Sequence, residues 1–381
     1  METIELCSNS PNDALMVPPL AVGTMYFGTR VAPTIAHEIL DAALDTGATF
    51  LDTANNYAFW VEDGTGDESE TVLGDWFDAR PGAREQVVLA TKIGARPRPG
   101  TRSLDEALGL SAPAVREQTE HSLMRLRTDR IDVLYAHIDD TRVPIEETVG
   151  ALQEEVRRGT ARVIACSNIT SSRLGAGLRA AADGPRYSVV QQRFTYLTAA
   201  PGADLSPHVL LDDDLIDLAV GQHLSLAGYS PLLGGAYTRD DRRLPDAYQH
   251  GATASQLAAL ARAADSTGLD AGQVVLAWMA GRAVPVLPVV GVSTRAQLDS
   301  AVRAMSAPLP AGRDVRKRRI GPLDVGRVRS AYNLSVRSTV HPGSVALGAE
   351  TRSDTSLVSV RDVKRVPASR EQAASEEARS R

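Results

Sequence analysis

Two rhythms of hydrophobic and polar positions run through this chain of 381 residues. Short apolar runs that end on a polar or charged residue read as buried strands opening into loops, and between them apolar residues recur at helical spacing. The first such run is Leu20-Ala21-Val22-Gly23, followed by a loop over Thr24-Met25-Tyr26-Phe27-Gly28. Pro33 then opens a helical pattern with Ile35, Ile39, Ala42, Ala43 and Leu44 on one face and Gly47 as its stop. Further strands are predicted at 50–52, 86–92, 131–137, 161–167, 187–191, 224–229 and 286–290. Helices are predicted over 70–79, 114–126, 145–158, 173–182, 210–220, 253–264, 273–280 and 294–305. Capping boxes at Thr253…Gln256 and Thr294…Gln297 mark two of the helix starts. Residues 1–18 are polar and contain proline, and read as a loose lead-in.

Unbroken strand–helix alternation at this spacing predicts an α/β fold of parallel strands, closed as a (β/α)8 TIM barrel. A doubly wound open sheet is the second choice. It would open with a Gly-x-Gly-x-x-Gly turn after its first strand, and no such turn stands there.

Composition divides the chain. Residues 1–308 carry 26 basic and 39 acidic side chains, whereas residues 309–381 carry 15 and 8. The acidic body argues against nucleic-acid binding by the barrel. Beyond Pro308 the periodicity stops, so the expected organisation is a barrel over 1–308 and a low-order basic tail over 309–381. Two cysteines, an N-terminus with acids and no apolar leader, and no run of membrane-spanning length lead to the expectation of a cytoplasmic protein with no membrane contact. Nothing in the sequence speaks to oligomeric state.

The usage of cations points to chemistry. Of 41 basic residues 38 are arginine, and Lys92 is the one lysine outside the C-terminal stretch, where Lys317 and Lys364 lie. A lone lysine among arginines suggests a job that needs a compact ammonium of tunable pKa. Lys92 ends one strand-like run, Asp52 ends another, His137 a third, and Tyr57 follows Asp52 in Phe50-Leu51-Asp52-Thr53-Ala54-Asn55-Asn56-Tyr57. In a parallel barrel these ends share the face where barrel enzymes keep their sites. Taken singly, each residue has a structural reading: a capping carboxylate, a pocket wall, a satisfied core histidine. Together they suit carbonyl reduction. Lys92 would favour the phenolate of Tyr57 and lower its pKa, Asp52 would hold Lys92, and His137 would donate to a substrate oxygen. His137-Ile138-Asp139-Asp140 lacks a second ligand at metal spacing, so no metal is expected.

Such chemistry needs a hydride source. Ser167, Asn168 and Gln191 follow strands and could hold a carboxamide, while Tyr229 could stack on a flat ring. Ser230, Pro231, Leu232 and Gly234 form a turn after Tyr229, and Gly291, Ser293, Arg295 and Gln297 surround the start of the last helix, where free amides suit a phosphate. Ten of 17 aromatic residues fall in predicted loops at the catalytic end: Tyr26, Phe27, Tyr57, Phe59, Trp60, Phe194, Tyr196, Tyr229, Tyr237 and Tyr248. They imply an apolar-walled pocket, which the reading assigns to Tyr26, Phe27, Tyr57, Phe59, Trp60, His137 and Phe194.

The motifs Gly23-Thr24, Asp52-Thr-Ala-Asn-Asn-Tyr57, Thr91-Lys92, Leu134-Tyr-Ala-His137, Cys166-Ser-Asn168, Gln191, Tyr229-Ser-Pro-Leu232 and Pro288-Val-Val-Gly291 resemble those of the aldo-keto reductase family, in the family's order and over residues 18–305. The resemblance implies a (β/α)8 barrel, reversible reduction of a small-molecule carbonyl, and Asp52, Tyr57, Lys92 and His137 as the catalytic tetrad. It also implies a nicotinamide cofactor held in part by Gly23, Thr24 and Asp52. NADP(H) is favoured and NAD(H) is the alternative, because Ser293 stands where many members grip the 2′-phosphate with a basic residue, Ala301 where an asparagine often touches adenine, and Arg295 is the candidate replacement cation. A regulatory subunit that binds cofactor without turnover, like the potassium-channel β-subunits that resemble this family, is the competing function.

Overall fold

The computed structural model describes residues 3–6 and 15–307. Two short strands, β1 (Ile4–Leu6) and β2 (Leu15–Val17), pair antiparallel, and after them strands and helices alternate. The order is β3 (Ala21–Gly23), α1 (Pro33–Thr46), β4 (Phe50–Asp52), α2 (Glu68–Ala79), a single turn α3 (Ala83–Gln86), β5 (Val88–Ile93), α4 (Ala112–Leu126), β6 (Ile131–Ala136), α5 (Ile145–Arg157), β7 (Ala161–Ser167) and α6 (Ser171–Ala180). It continues with β8 (Tyr187–Arg193), α7 (Asp213–Gly221), β9 (Ser225–Tyr229), α8 (Thr253–Thr267), α9 (Ala271–Ala280), β10 (Leu287–Gly291) and α10 (Arg295–Ser306). Strands β3 to β10 pair in parallel in sequence order, and β10 pairs with both β9 and β3, so the sheet closes into the (β/α)8 barrel that the alternation predicted.

The period of two along each strand decides which side chains see the barrel axis. Phe50, Ala90, Val133, Tyr135, Val163, Ala165 and Val189 fill the interior, whereas Leu51, Leu89, Leu134 and Ile164 join the larger core between strands and helices. Continuing the same alternation upward brings Asp52 and Lys92 to the inward face at the C-terminal end. Thr91, one residue off, points outward and donates to Glu70 of α2 at 2.5 Å.

Some local expectations need correction. The lead-in is not loose throughout: Leu6, Leu15 and Val17 are buried with the interior residues Ala21 and Phe50. Strands of three residues offer too few positions to show a period. No capping box starts α8, whose N-cap is Ala252, and Thr253 Oγ1 instead donates to the Tyr248 carbonyl at 2.7 Å. A full capping box stands at Asp270 and Gln273, at the start of α9. At α10 Thr294 caps the Gln297 amide, but the Gln297 side chain accepts from Ser293 N at 2.7 Å rather than from the N-cap. The expected tail over 309–381 lies outside the described residues. No helix among the described residues is long and apolar enough to cross a membrane.

Candidate active site

The loop that carries Tyr57 is tied to the strand ends by its own backbone. Thr53 N donates to Ala90 O at 2.9 Å and Asn55 N to Lys92 O at 3.0 Å, which continues the β4–β5 ladder past the end of β4. Asn56 Nδ2 donates to Ala95 O at 2.9 Å and Asn55 Nδ2 to Gln118 at 3.1 Å. Behind the loop, Ser69 Oγ lies 2.8 Å from the hydroxyls of both Thr24 and Thr53 and donates to the Thr24 carbonyl at 2.8 Å. These contacts give the small polar residues of the loop after Asp52 their structural roles.

Four of the predicted residues meet at the mouth of the barrel. Lys92 is fully buried; its ammonium makes a short ion pair with Asp52 and donates to Thr53 O at 2.8 Å and to the Tyr57 hydroxyl at 3.2 Å. The other Asp52 oxygen accepts from Gln191 Nε2 at 2.9 Å, so the carboxylate is held on both sides. The His137 ring stands edge-on to Tyr57 with centroids 5.6 Å apart, and its buried Nδ1 has no hydrogen-bond partner among the described residues.

Electrostatics assign protonation states. Burial alone would lower the Lys92 pKa, but the charges of Asp52 and Tyr57 outweigh it and raise it, so the ammonium stays charged. For Tyr57 burial is the largest influence, and it leaves the phenol above its usual 10.0 even though Lys92 pulls the other way. Lys92 thus acts on the phenol in the expected direction, lowering its pKa, but removal from water and the charge of Asp52 outweigh it. Burial, followed by the charge of Lys92, holds His137 well below 6.5, as a neutral imidazole.

A cavity of about 950 Å³ runs from Tyr57 and His137 past Gln191 and Tyr229 to Gly291, Ser293 and Gln297 at the start of α10. Of the predicted cofactor residues, Gly23, Asp52, Ser167, Asn168, Gln191, Tyr229, Ser230, Pro231, Leu232, Gly234, Gly291, Ser293 and Gln297 line it. Thr24 does not: it is buried behind the wall on Ser69. Arg295 also lies off the wall, 3.7 Å from Asp299 one turn along α10. The Asn168 amide is fully engaged, donating to His137 O at 3.0 Å and Ser167 Oγ at 3.1 Å and accepting from Val209 N at 3.1 Å and the Tyr229 hydroxyl at 2.7 Å. It orients Tyr229; Ser167 accepts from it and Gln191 donates to Asp52, and both side chains also line the cavity.

Among the predicted pocket aromatics, Tyr26, Tyr57, Phe59 and Trp60 line the cavity, but Phe27 and Phe194 do not. Phe27 is fully buried in the core outside the barrel, and Phe194 stacks on Trp278 with centroids 5.6 Å apart. Tyr196, Tyr237 and Tyr248 pack with Leu197 and Leu233 in a small core of their own. Loop position thus did not distinguish a pocket wall from the packing that a long loop needs for itself. The structure adds Arg239 and Arg242, which line the cavity near Gly235. Nearby, Thr238 approaches Gly272 at the start of α9, and Gln273 of α9 reaches Ser300 of α10 at 3.0 Å. The sequence around Arg239 and Arg242 carries no periodicity or motif, so no signal marked those two.

The lining has the chemistry a nicotinamide dinucleotide would meet: polar side chains at Ser167 and Gln191, the ring of Tyr229 held by Asn168, and two guanidinium groups, Arg239 and Arg242, that flank Asp241. Space beside the backbone is open at Gly234 and Gly291, where an added Cβ would meet nothing within 4 Å. The volume is at the upper end for small-molecule sites, about 300–1,000 Å³.

The site is a lysine–aspartate pair under a tyrosine at the mouth of a closed parallel barrel. The chain belongs to the aldo/keto reductase family, whose model matches residues 19–313. It is 30% identical over 306 residues to the "uncharacterized oxidoreductase YrpG" of Bacillus subtilis, covering 77% of this chain and 89% of that one. It is 27% identical over 297 residues to a 6-dehydroglucose reductase of Novosphingobium aromaticivorans, covering 77% and 88%. With norsolorinic acid reductase stcV of Emericella nidulans it shares 27% over 321 residues, 79% of this chain and 77% of that one. Among solved structures, the thermostable aldo-keto reductase Tm1743 superimposes with a TM-score of 0.62 at 21% identity, over 82% of this chain and 96% of that chain, which supports the fold.

Proposed function

We propose that this protein is an NADPH-dependent reductase of aldehydes or ketones in which Tyr57 is the proton donor. The observation that carries the reading is the 3.2 Å contact between a charged, buried ammonium and the Tyr57 hydroxyl at the cavity wall. When bound, the dihydronicotinamide supplies a hydride to the carbonyl carbon. Tyr57, a neutral phenol, hydrogen-bonds the carbonyl oxygen and gives up its proton as charge grows there. Lys92 stabilises the phenolate left behind, and Asp52, itself held by Gln191, keeps Lys92 charged and aimed. His137, neutral, has one N–H to offer the same oxygen, so it polarises the carbonyl without adding a charge. Relatives named as reductases of norsolorinic acid and 6-dehydroglucose support carbonyl reduction.

NADPH is favoured because Arg239 and Arg242 bring two guanidinium groups to the cavity wall against the one carboxylate of Asp241, which lies 2.6 Å from Arg239 and 3.8 Å from Arg242, whereas Ser293 carries no charge and Arg295 lies off the wall beside Asp299. The test is NADPH oxidation followed with a panel of aldehydes and ketones. Turnover on at least one class is expected. Tight NADPH binding with no turnover on any of them would return the protein to the regulatory reading.

A further inference from the structure

The aromatic side of the cavity stands on an excursion of the loop between β4 and α2. After Tyr57 the chain folds back on itself, with Phe59 N on Asn56 O at 3.0 Å, Val61 N on Ala58 O at 3.0 Å and Gly64 N on Val61 O at 2.9 Å. Phe59 and Trp60 meet edge to face at 5.2 Å between centroids, and Trp60 meets Tyr57 the same way at 6.1 Å. Trp60 is 42% exposed, although it lines the cavity. Trp60 is therefore a large, partly exposed aromatic side chain at the cavity, in ring contact with the candidate proton donor.

Two arginines from the next loop, between β5 and α4, hold this excursion. Arg96 takes its two flanks, donating to Asn55 O at 2.6 Å and Thr65 O at 3.4 Å while pairing with Asp67 at 2.7 Å. Arg102 takes the middle: its guanidinium donates to the carbonyls of Phe59, Val61 (2.8 Å) and Gly64 (3.3 Å). No carboxylate among the described residues forms an ion pair with Arg102, so its planar fork is committed to these three neutral acceptors. Two residues on, Leu104 lines the cavity, which makes Arg102 the strap between two walls of the same pocket.

We propose that Trp60 is a specificity-determining residue that selects carbonyl compounds bearing an aromatic ring, and that Arg102 is the positioning residue that fixes it. The proposal rests on the reductase reading for the carbonyl. Its ring-binding part is independent of turnover. Arg96 and the Asn56–Ala95 bond hold Tyr57 from the flanks, so loosening Arg102 acts on the 59–64 excursion and leaves the proton donor seated.

The test compares matched rings on the full chain loaded with NADPH. Calorimetry gives dissociation constants for benzyl alcohol and cyclohexylmethanol, and kinetics give KM and kcat for benzaldehyde and cyclohexanecarbaldehyde. The wild-type protein is expected to prefer the aryl member of each pair by a factor of about 2 to 10. Trp60→Leu should bring the binding ratio to about one. Arg102→Met should lower the same ratio and raise the KM for benzaldehyde more than it changes kcat, with Arg102→Lys restoring part of the preference. Absence of an aryl preference in the wild type overturns the proposal, as does an Arg102→Met protein that is less stable but has an unchanged ratio. Selective alcohol binding with no turnover on these aldehydes or on any of the wider panel of aldehydes and ketones would keep the ring site and remove the reductase reading; turnover without selectivity would do the reverse.

Discussion

Lys92 donates to the Tyr57 hydroxyl at 3.2 Å from a position with no access to water, although 35 residues separate the two along the chain. The contact links the barrel interior to the loop above it. On the proposed reading, it is where the charge left on the phenol after proton transfer is stabilised.

Tyr57→Phe is expected to cut kcat by about 10²–10⁴, the range of a general acid, while leaving the NADPH dissociation constant within a few-fold of wild type. Fluorescence titration and steady-state kinetics on the same preparation separate the two. An unchanged kcat would remove Tyr57 from the mechanism. Because burial holds the phenol above 10.0, the rate of reduction should show no falling limb from Tyr57 below about pH 10.

Lys92→Met leaves Asp52 buried with only Gln191 as partner, and should destabilise the fold by about 3–5 kcal/mol. Adding Asp52→Asn to that variant should recover much of the loss, since no uncompensated charge then remains. Denaturant midpoints of the single and double variants check it; equal stabilities would show that the pair is not coupled.

His137 is expected to make the fold sensitive to acid. Its folded pKa is depressed below 6.5, so as the pH falls below that value the unfolded chain binds a proton that the native protein does not. Stability from this group is therefore full above about pH 7 and declines below 6.5 by up to about 1.4 kcal/mol per pH unit, until the folded pKa is reached. His208 is depressed as well, by burial and then Arg193, and adds a limb of the same sign. Unfolding of His137→Gln at pH 7.5 and 5.5 should show a smaller difference than the wild type.

Replacing both Arg239 and Arg242 by alanine should weaken NADPH by about 10- to 100-fold and NADH less, if they grip the phosphate that distinguishes the two cofactors. Parallel titrations with both cofactors give the answer. Equal losses would place the two arginines on a feature that both cofactors share.

Much of this protein was legible in one dimension. Alternation of apolar runs with helical patterns gave the barrel, because strand and helix periods are local properties of the chain. The rarity of lysine, with Asp52, Lys92 and His137 at strand ends, pointed to the group that meets at the barrel mouth, because a parallel barrel brings all such ends to one face whatever lies between them. Tertiary structure alone decided the rest. Phe27 and Trp60 are alike in sequence, as aromatics in loops, yet one is core and the other pocket wall, since burial depends on what packs from elsewhere. The protonation of Tyr57 followed from the balance between lost solvent and a neighbour 35 residues away, which no local pattern encodes. Arg239, Arg242 and Arg102 became visible only through the groups they face, because a guanidinium acts across space and leaves no period in the chain.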